Sequence, residues 1–311
     1  AAVFVAADKT SAEVPVVYED GIDANDISQG ALGDCYFLSA VSALAGTPQL
    51  VEKLFCTSPE AEALGVTVVR LNNGAWTPTA LDWTFPVDKR GRQPCFSRCK
   101  GGTAELWCML LEKAFAKLSG TYFKIGGGGQ PADAFFALTG APSKRFVVAD
   151  VKGPKLWRVL EKAHTVQHFL MTASVEKTAT NADSEKRFGL VTGHAYGVTK
   201  VATAKALGGK KVVQIRNPWG NGAGEWKGAL GDKSKLWATT AGLRDELGFV
   251  AEDDGKFWML YADFVQHFAS VTVCRFRAHF VFSSAAVTLT KERPVAAVRF
   301  RVADGHGLDS T

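Results

Sequence analysis

Three residues of the 311-residue chain have the types and order for nucleophilic catalysis: Cys35, His194 and Asn217. A thiolate can attack a carbonyl, an imidazole can carry the proton, and an amide oxygen can hold that imidazole in one tautomer. The steps are 159 residues from Cys35 to His194 and 23 more to Asn217. Gln29 lies six residues before Cys35, in a loop able to fold back and aim its amide at an oxyanion beside the sulfur. Trp219 follows Asn217 closely enough to shield the imidazole–amide bond from water.

Each of these residues needs an element to aim it. After Cys35, the residues Phe37, Leu38, Val41 and Leu44 recur at helical spacing, and Gly30, Gly33 and Asp34 before it suit a turn and a helix start. The sequence predicts a helix from Cys35 to about Ala45, with the thiol at its N-terminus. Unpaired N–H groups and the helix dipole favour an anion there, which is expected to lower the thiol pKa from about 8.5 toward neutrality. Gly193-His194-Ala195-Tyr196 opens a strand, so the imidazole is expected at a strand edge facing a cleft. Ile215-Arg216-Asn217-Pro218-Trp219-Gly220 ends another strand in a turn. Taken singly, these are a core cysteine, a strand histidine and a turn asparagine. Their conjunction favours a site, and the order Cys, His, Asn is the papain-type arrangement.

Helical periodicity dominates up to about residue 140. Helices are expected at Pro48–Phe55, from a Thr103 cap through Glu105 to Leu118, and at Asp133–Leu138. Val66–Leu71 reads as a strand entering a hairpin near Trp76 and Trp83. Lys89–Gly102 reads as a polar loop with two isolated cysteines. Gly126–Gly129 reads as a flexible loop; no Lys-Ser/Thr follows it, which excludes a phosphate-binding loop. Beyond Ala141 strands prevail, near 146–148, 168–174, 193–201, 211–216, 255–261 and 271–276, with helices at 154–164 and 263–268. His164 and His168 read as a surface pair. The expected fold is α+β in two lobes: residues 1–140 carrying Cys35, and 141–276 carrying His194 and Asn217. Residues 277–311 form a tail of unassigned structure, where a further domain could begin.

The 36 Lys and Arg against 31 Asp and Glu give a net charge of +5, and no dense basic block suggests a nucleic-acid partner. Hydrophobic residues make up 47%, enough for a core without disulfides. Cysteines at 35, 56, 95, 99, 108 and 274 form no ladder, and Cys95 and Cys99 lack a second pair at zinc spacing. A reducing, cytoplasmic setting is expected. The apolar run at residues 1–7 is too short for a signal or a membrane span, and the missing initiator Met reads as a fragment. Membrane association is not visible, and a monomer acting on protein substrates is expected.

The stretches QGALGDCYFL (29–38), GHAYGVT (193–199), RNPWG (216–220) and DGKFWML (254–260) resemble the calpain protease core in order and spacing. Glu105-Leu106-Trp107 through Leu110-Leu111-Glu112-Lys113-Ala114-Phe115-Ala116-Lys117 resembles it too, and the resemblance spans roughly residues 14 to 276. It implies a papain-like, calcium-activated cysteine endopeptidase whose two lobes meet at the active-site cleft, working through an acyl-enzyme. It implies Cys35 as nucleophile, His194 as base, Asn217 as orienter, Gln29 as oxyanion donor and Trp219 over the dyad, with Gly33 and Gly193 in the substrate cleft. Tyr36 stands where calpains usually carry Trp.

The resemblance also implies one calcium per lobe. The first set is the carbonyls of Glu19 and Gly21 with the carboxylates of Asp26 and Glu105. The second is Glu225, Asp232, the backbone of Glu252, and Asp254. Lys256 occupies the place of the family's last acid, so one calcium site is expected and the second is in question. No EF-hand loop is present. Two other functions use the same residues: an inactive calpain-like scaffold, which the intact Cys35, His194, Asn217 and Gln29 oppose, and transglutaminase-type acyl transfer, which Asn217 in place of Asp opposes.

Overall fold

The structure, a computed structural model, describes residues 4–6, 16–19, 21–88, 93–100, 105–178 and 184–277. The expected Thr103 cap, and the tail from residue 278 on, lie outside those residues.

The amino-terminal half is mainly helical. Helix α1 spans Cys35–Ala45, followed by the short α2 (Pro48–Glu52) and α3 (Pro59–Ala63). Helix α4 (Trp107–Ser119) is the longest of this half, with α5 (Tyr122–Gly126) and α6 (Pro131–Thr139) behind it. Three two-stranded ribbons accompany them. Strand β1 (Phe4–Ala6) pairs with β5 (Thr84–Pro86), β2 (Ile27–Ser28) with β6 (Arg98–Cys99), and β3 (Val66–Asn72) with β4 (Trp76–Asp82), all antiparallel.

The carboxy-terminal half is built on one six-stranded sheet in the order β11-β10-β9-β8-β12-β7, each neighbour antiparallel. Its strands are β7 (Ser143–Val147), β8 (Leu170–Val175), β9 (His194–Ala204), β10 (Lys210–Arg216), β11 (Lys256–Leu260) and β12 (Ser270–Cys274). The helices of this half are α7 (Gly153–Thr165), α8 (Ser184–Phe188), α9 (Leu236–Thr239), α10 (Leu243–Leu247) and α11 (Tyr261–His267). The fold is α+β, helical first and antiparallel β second, as a papain-like calpain core requires. No helix among the described residues is long and apolar enough to cross a membrane.

Helix α1 is apolar nearly all round because it is covered on all sides. It packs on α6 and lies across β8 and β9. Phe37 stacks on Phe115 of α4 with centroids 4.2 Å apart, and Trp107 is fully buried in the same core. Leu170, Ala195 and Cys274 of the sheet join that core. On the sheet's other face Tyr196 and Val213 pack with Trp157 of α7 and Phe264 of α11. Removing an aromatic ring of this kind costs about 3–5 kcal/mol, so Phe37→Ala would strike the element that carries Cys35.

The two halves are tied through Arg216. Its guanidinium is fully buried and donates from Nη2 to the Ile27 carbonyl (2.8 Å) and from Nη1 to Ser42 Oγ (3.2 Å). The Gln29 N–H donates to the Pro218 carbonyl at 2.9 Å. Burial pushes the Arg216 pKa down to about 10, with Asp254, Asp23 and Asp26 opposing, so the side chain stays charged at neutral pH.

Some sequence expectations are corrected. Helix α4 starts at Trp107; Glu105 instead pairs with Val16 in a parallel bridge. The glycine loop begins later than expected, because the Thr121 side chain caps α5 by accepting from the Lys124 N–H. Within the polar loop, Cys99 is not isolated: it pairs with Ile27, and its sulfur lies 3.1 Å from that of Cys108. His164 and His168 are separated by the end of α7, as expected, and both line a cavity of about 710 Å³ between the halves.

Candidate active site

Cys35 and His194 line one cavity of about 250 Å³, together with Gly33, Tyr36, Gly129 and Gly193. Asp34 precedes α1 and accepts the Phe37 and Leu38 N–H groups on its carbonyl, which fixes the first turn and points Cys35 toward the sheet. His194 is the first residue of β9. That strand runs inside the sheet, flanked by β8 and β10, and its first two residues, His194 and Ala195, line the cavity at the strand's opening end.

The imidazole is held on two sides. His194 Nε2 lies 2.8 Å from Asn217 Oδ1, and the Trp219 ring stands 5.1 Å away, centroid to centroid. Asn217 Nδ2 donates to the Ala223 carbonyl at 2.8 Å, so the amide oxygen is the end that faces His194. An acceptor there makes Nε2 the N–H of the neutral ring and leaves the Nδ1 lone pair for an incoming proton. Asn217 is itself fully buried at the end of β10, where its N–H donates to the Gly255 carbonyl.

The electrostatics differ from the sequence expectation. Burial pushes the Cys35 thiol up; the Ala195 N–H facing the sulfur opposes this only in part, and Asp34 adds to the rise. Desolvation therefore outweighs the helix terminus. Burial also lowers His194 to about 4, against the Asn217 hydrogen bond. Both shifts favour the uncharged forms, thiol and neutral imidazole, and among the described residues no hydrogen bond joins the sulfur to the ring.

Gln29 is also turned from its expected direction. Its Nε2 donates to the Leu32 carbonyl at 2.7 Å and to Asp34 Oδ1 at 3.5 Å, while its Oε1 is buried without a partner. The glycines have plain reasons. A Cβ on Gly33 would stand 2.5 Å from the Gly126 carbonyl oxygen, and Gly193 has φ +67°. Tyr36 fills the wall where its ring meets Gly129, and its hydroxyl donates to the Ile125 carbonyl at 3.3 Å.

Arg145, Glu176 and Lys177 also line the cavity, and Arg145 pairs with Glu176 at 2.9 Å. The sequence carried no signal for them. They reach the site only because Val175 pairs with His194 across β8 and β9 and because β7 lies beside β12.

Among the described residues no group of three or more His, Cys, Asp or Glu side chains converges to hold a metal ion. In the first set, buried Glu105 accepts the Glu19 N–H on Oε1 at 3.2 Å, so the Glu19 backbone lies beside that carboxylate. Asp26 ends a 3₁₀ turn, Ala24–Asp26, and accepts the Asp23 N–H on Oδ2 at 2.8 Å. Gly21 has φ +109°. Two carboxylates and two carbonyls are hard oxygens, the donor chemistry that calcium takes.

In the second set an ammonium already engages one of the acids. Lys256 Nζ lies 3.3 Å from Asp254 Oδ2, and the Lys256 N–H donates to Asp254 Oδ1 at 2.8 Å. A calcium ion there would compete with an ammonium for Asp254 and be repelled by it. Glu252 is exposed. Glu225 Oε1 and Asp232 Oδ1 are buried without hydrogen-bond partners. Burial first, then Asp232 and Asp254, raise Glu225 to about 7; burial and Asp254 raise Asp232 to about 6.

The sequence pattern of the calpain family cysteine protease matches residues 7–275. The chain is 34% identical over 269 residues to the calpain-type cysteine protease ADL1 of Oryza sativa subsp. japonica, covering 84% of this chain and 12% of that protein. It is 32% identical over 289 residues to calpain-5 of Mus musculus, covering 84% and 44%. Against calpain-A of Drosophila melanogaster it is 33% identical over 272 residues, covering 85% and 32%. The chain belongs to the calpain family of cysteine proteases. It spans less than half the length of each of these relatives.

Proposed function

We propose that this chain is the catalytic core of an endopeptidase that cleaves proteins at limited sites, in lobes 1–140 and 141–276, through Cys35, His194 and Asn217. The observation that carries this reading is the 2.8 Å contact of His194 Nε2 with Asn217 Oδ1, on the cavity that Cys35 also lines. The Cys35 proton passes to His194 Nδ1, and the thiolate attacks the scissile carbonyl carbon. The resulting oxyanion is met by N–H groups at the start of α1 and by the Gln29 amide, once that amide swings from the Leu32 carbonyl. The imidazolium, steadied by Asn217, protonates the leaving amine and leaves a thioester. His194 then takes a proton from water, which attacks the thioester and frees the acid.

The resting state, thiol and neutral ring without a hydrogen bond between them, supports a regulated enzyme. Calcium held by Glu19, Gly21, Asp26 and Glu105 would neutralise the acids of the first lobe and bias the lobes toward closure. A ligand shifts such an equilibrium only by its differential affinity for the closed form. In the second lobe the Lys256 ammonium stands where a second ion would, which supports a single calcium per chain. A reducing, cytoplasmic setting is supported by the free thiols of all six cysteines, and one chain supplies every catalytic group, so a monomer suffices. The test is labelling of Cys35 by a thiol-directed peptide epoxide with and without calcium. Calcium-stimulated labelling confined to Cys35 is expected; labelling elsewhere, or none in either state, would overturn the reading.

A further inference from the structure

Directly behind the nucleophile lies a pair of acids that the chemistry above does not use. Asp34, the residue before Cys35, is fully buried, and Glu112 of α4 is 2% exposed. Their carboxyl groups face each other in that dry setting, each acting on the other's titration, and among the described residues neither makes an ion pair. Two ionised carboxylates only accept, so this contact needs a proton.

The surrounding bonds say where a proton is wanted. Both Glu112 oxygens accept the Ser97 N–H, at 3.0 and 3.2 Å. Asp34 Oδ1 faces the Gln29 amide nitrogen at 3.5 Å, while Asp34 Oδ2 is buried with no donor. One proton between Asp34 Oδ2 and Glu112 completes a chain from the Gln29 amide through both acids to Ser97. The titratable groups that face the pair are Cys35 and Tyr36 on α1, Cys108 on α4 and Tyr122 at the start of α5. These are thiols and phenols, and none supplies a positive charge.

We propose that Asp34 and Glu112 share a single proton and act as positioning residues, holding the Gln29 loop against α1 and keeping a second negative charge away from the Cys35 sulfur. Loss of that proton at alkaline pH leaves two carboxylates in contact in a dry site. Their repulsion loosens the Gln29 contact, and the charge on Asp34 opposes formation of the thiolate next to it. Burial pushes both acids up, Asp34 to about 7, in the sense the shared proton requires.

This inference rests on Cys35 being the nucleophile, and its test is chosen to be read apart from that. The rate of iodoacetamide alkylation at Cys35, resolved by peptide mass spectrometry, and kcat/KM are measured against pH for the wild type, Glu112→Gln and Asp34→Asn. Each variant removes one acid but keeps a hydrogen-bonding side chain. The expected result is a fall of about one unit or more in the alkylation midpoint, with the alkaline limb of kcat/KM moved upward by a similar amount. An infrared band of a buried protonated carboxyl should appear at neutral pH in the wild type and vanish in Glu112→Gln. If that variant does not fold, Asp34→Asn and the wild-type band decide. Wild-type pH profiles in a folded variant, or no such band, would overturn the proposal. Loss of turnover in every protein with the alkylation shift intact would instead fault the protease reading.

Discussion

His194 Nε2 and Asn217 Oδ1 are 2.8 Å apart, and the same oxygen accepts the Trp219 N–H at 3.1 Å. One amide thus fixes the tautomer of the His194 ring and the turn that carries the Trp219 indole beside it. Asn217→Ala should lower kcat by about ten- to a hundredfold with a smaller rise in KM, because the amide orients the base and makes no contact with the cavity. Steady-state kinetics on a peptide substrate check this; a pure KM effect would move Asn217 out of the proton-transfer machinery.

Cys35→Ala and Cys35→Ser should each abolish cleavage and leave the melting temperature within a few degrees of wild type. The half-buried thiol contributes little packing, while the neighbouring Phe37 and Leu38 hold the helix. Thermal unfolding and a cleavage assay run side by side decide it, and wild-type turnover in the alanine variant would remove Cys35 from the chemistry.

Calorimetric titration should show about one tight calcium site per chain. Lys256→Glu should add a second, since it frees Asp254 and supplies a further carboxylate beside Glu225 and Asp232. Asp26→Ala should remove the first. Two equally tight sites in the wild type, or no gain in Lys256→Glu, would contradict the account of the second lobe.

His194 also makes an acid-stability prediction. Its folded pKa of about 4 lies below the ordinary imidazole value of 6.5. The unfolded chain therefore binds a proton in the window between them that the folded chain refuses. Stability from this group is undiminished above pH 6.5 and falls as pH drops toward 4, by on the order of 2–3 kcal/mol at pH 4.5. Urea unfolding at pH 7.5, 5.5 and 4.5 should show a shallower decline for His194→Gln than for wild type; parallel declines would mean the ring is not buried neutral.

The sequence carries the site where local pattern alone places a residue. Phe37, Leu38, Val41 and Leu44 set the helix that starts at Cys35, and Pro218-Trp219-Gly220 turns the chain after the strand that ends at Arg216, just before Asn217. Lys256 and Asp254 were already neighbours across Gly255, so their pairing needed only a tight turn. What depends on long-range packing was not legible. The Cys35 thiol is raised because the sheet covers it, and Gln29 is engaged because Leu32 and Asp34 fold back on it. Neither fact has a periodicity. Helices α9 and α10, four and five residues long, are too short to show one.

The Arg216 guanidinium on the Ile27 carbonyl has a consequence in time as well as in space. The strand before α1 cannot be secured until a side chain 189 residues later has been made. At ribosomal speeds of about 5–20 residues per second that is roughly 10–40 seconds. During that interval α1, apolar on nearly every face, has neither its sheet nor its anchor. Contacts of such separation fold slowly, so the nascent first half should need shelter from other chains, and a protein released before Arg216 should aggregate rather than wait.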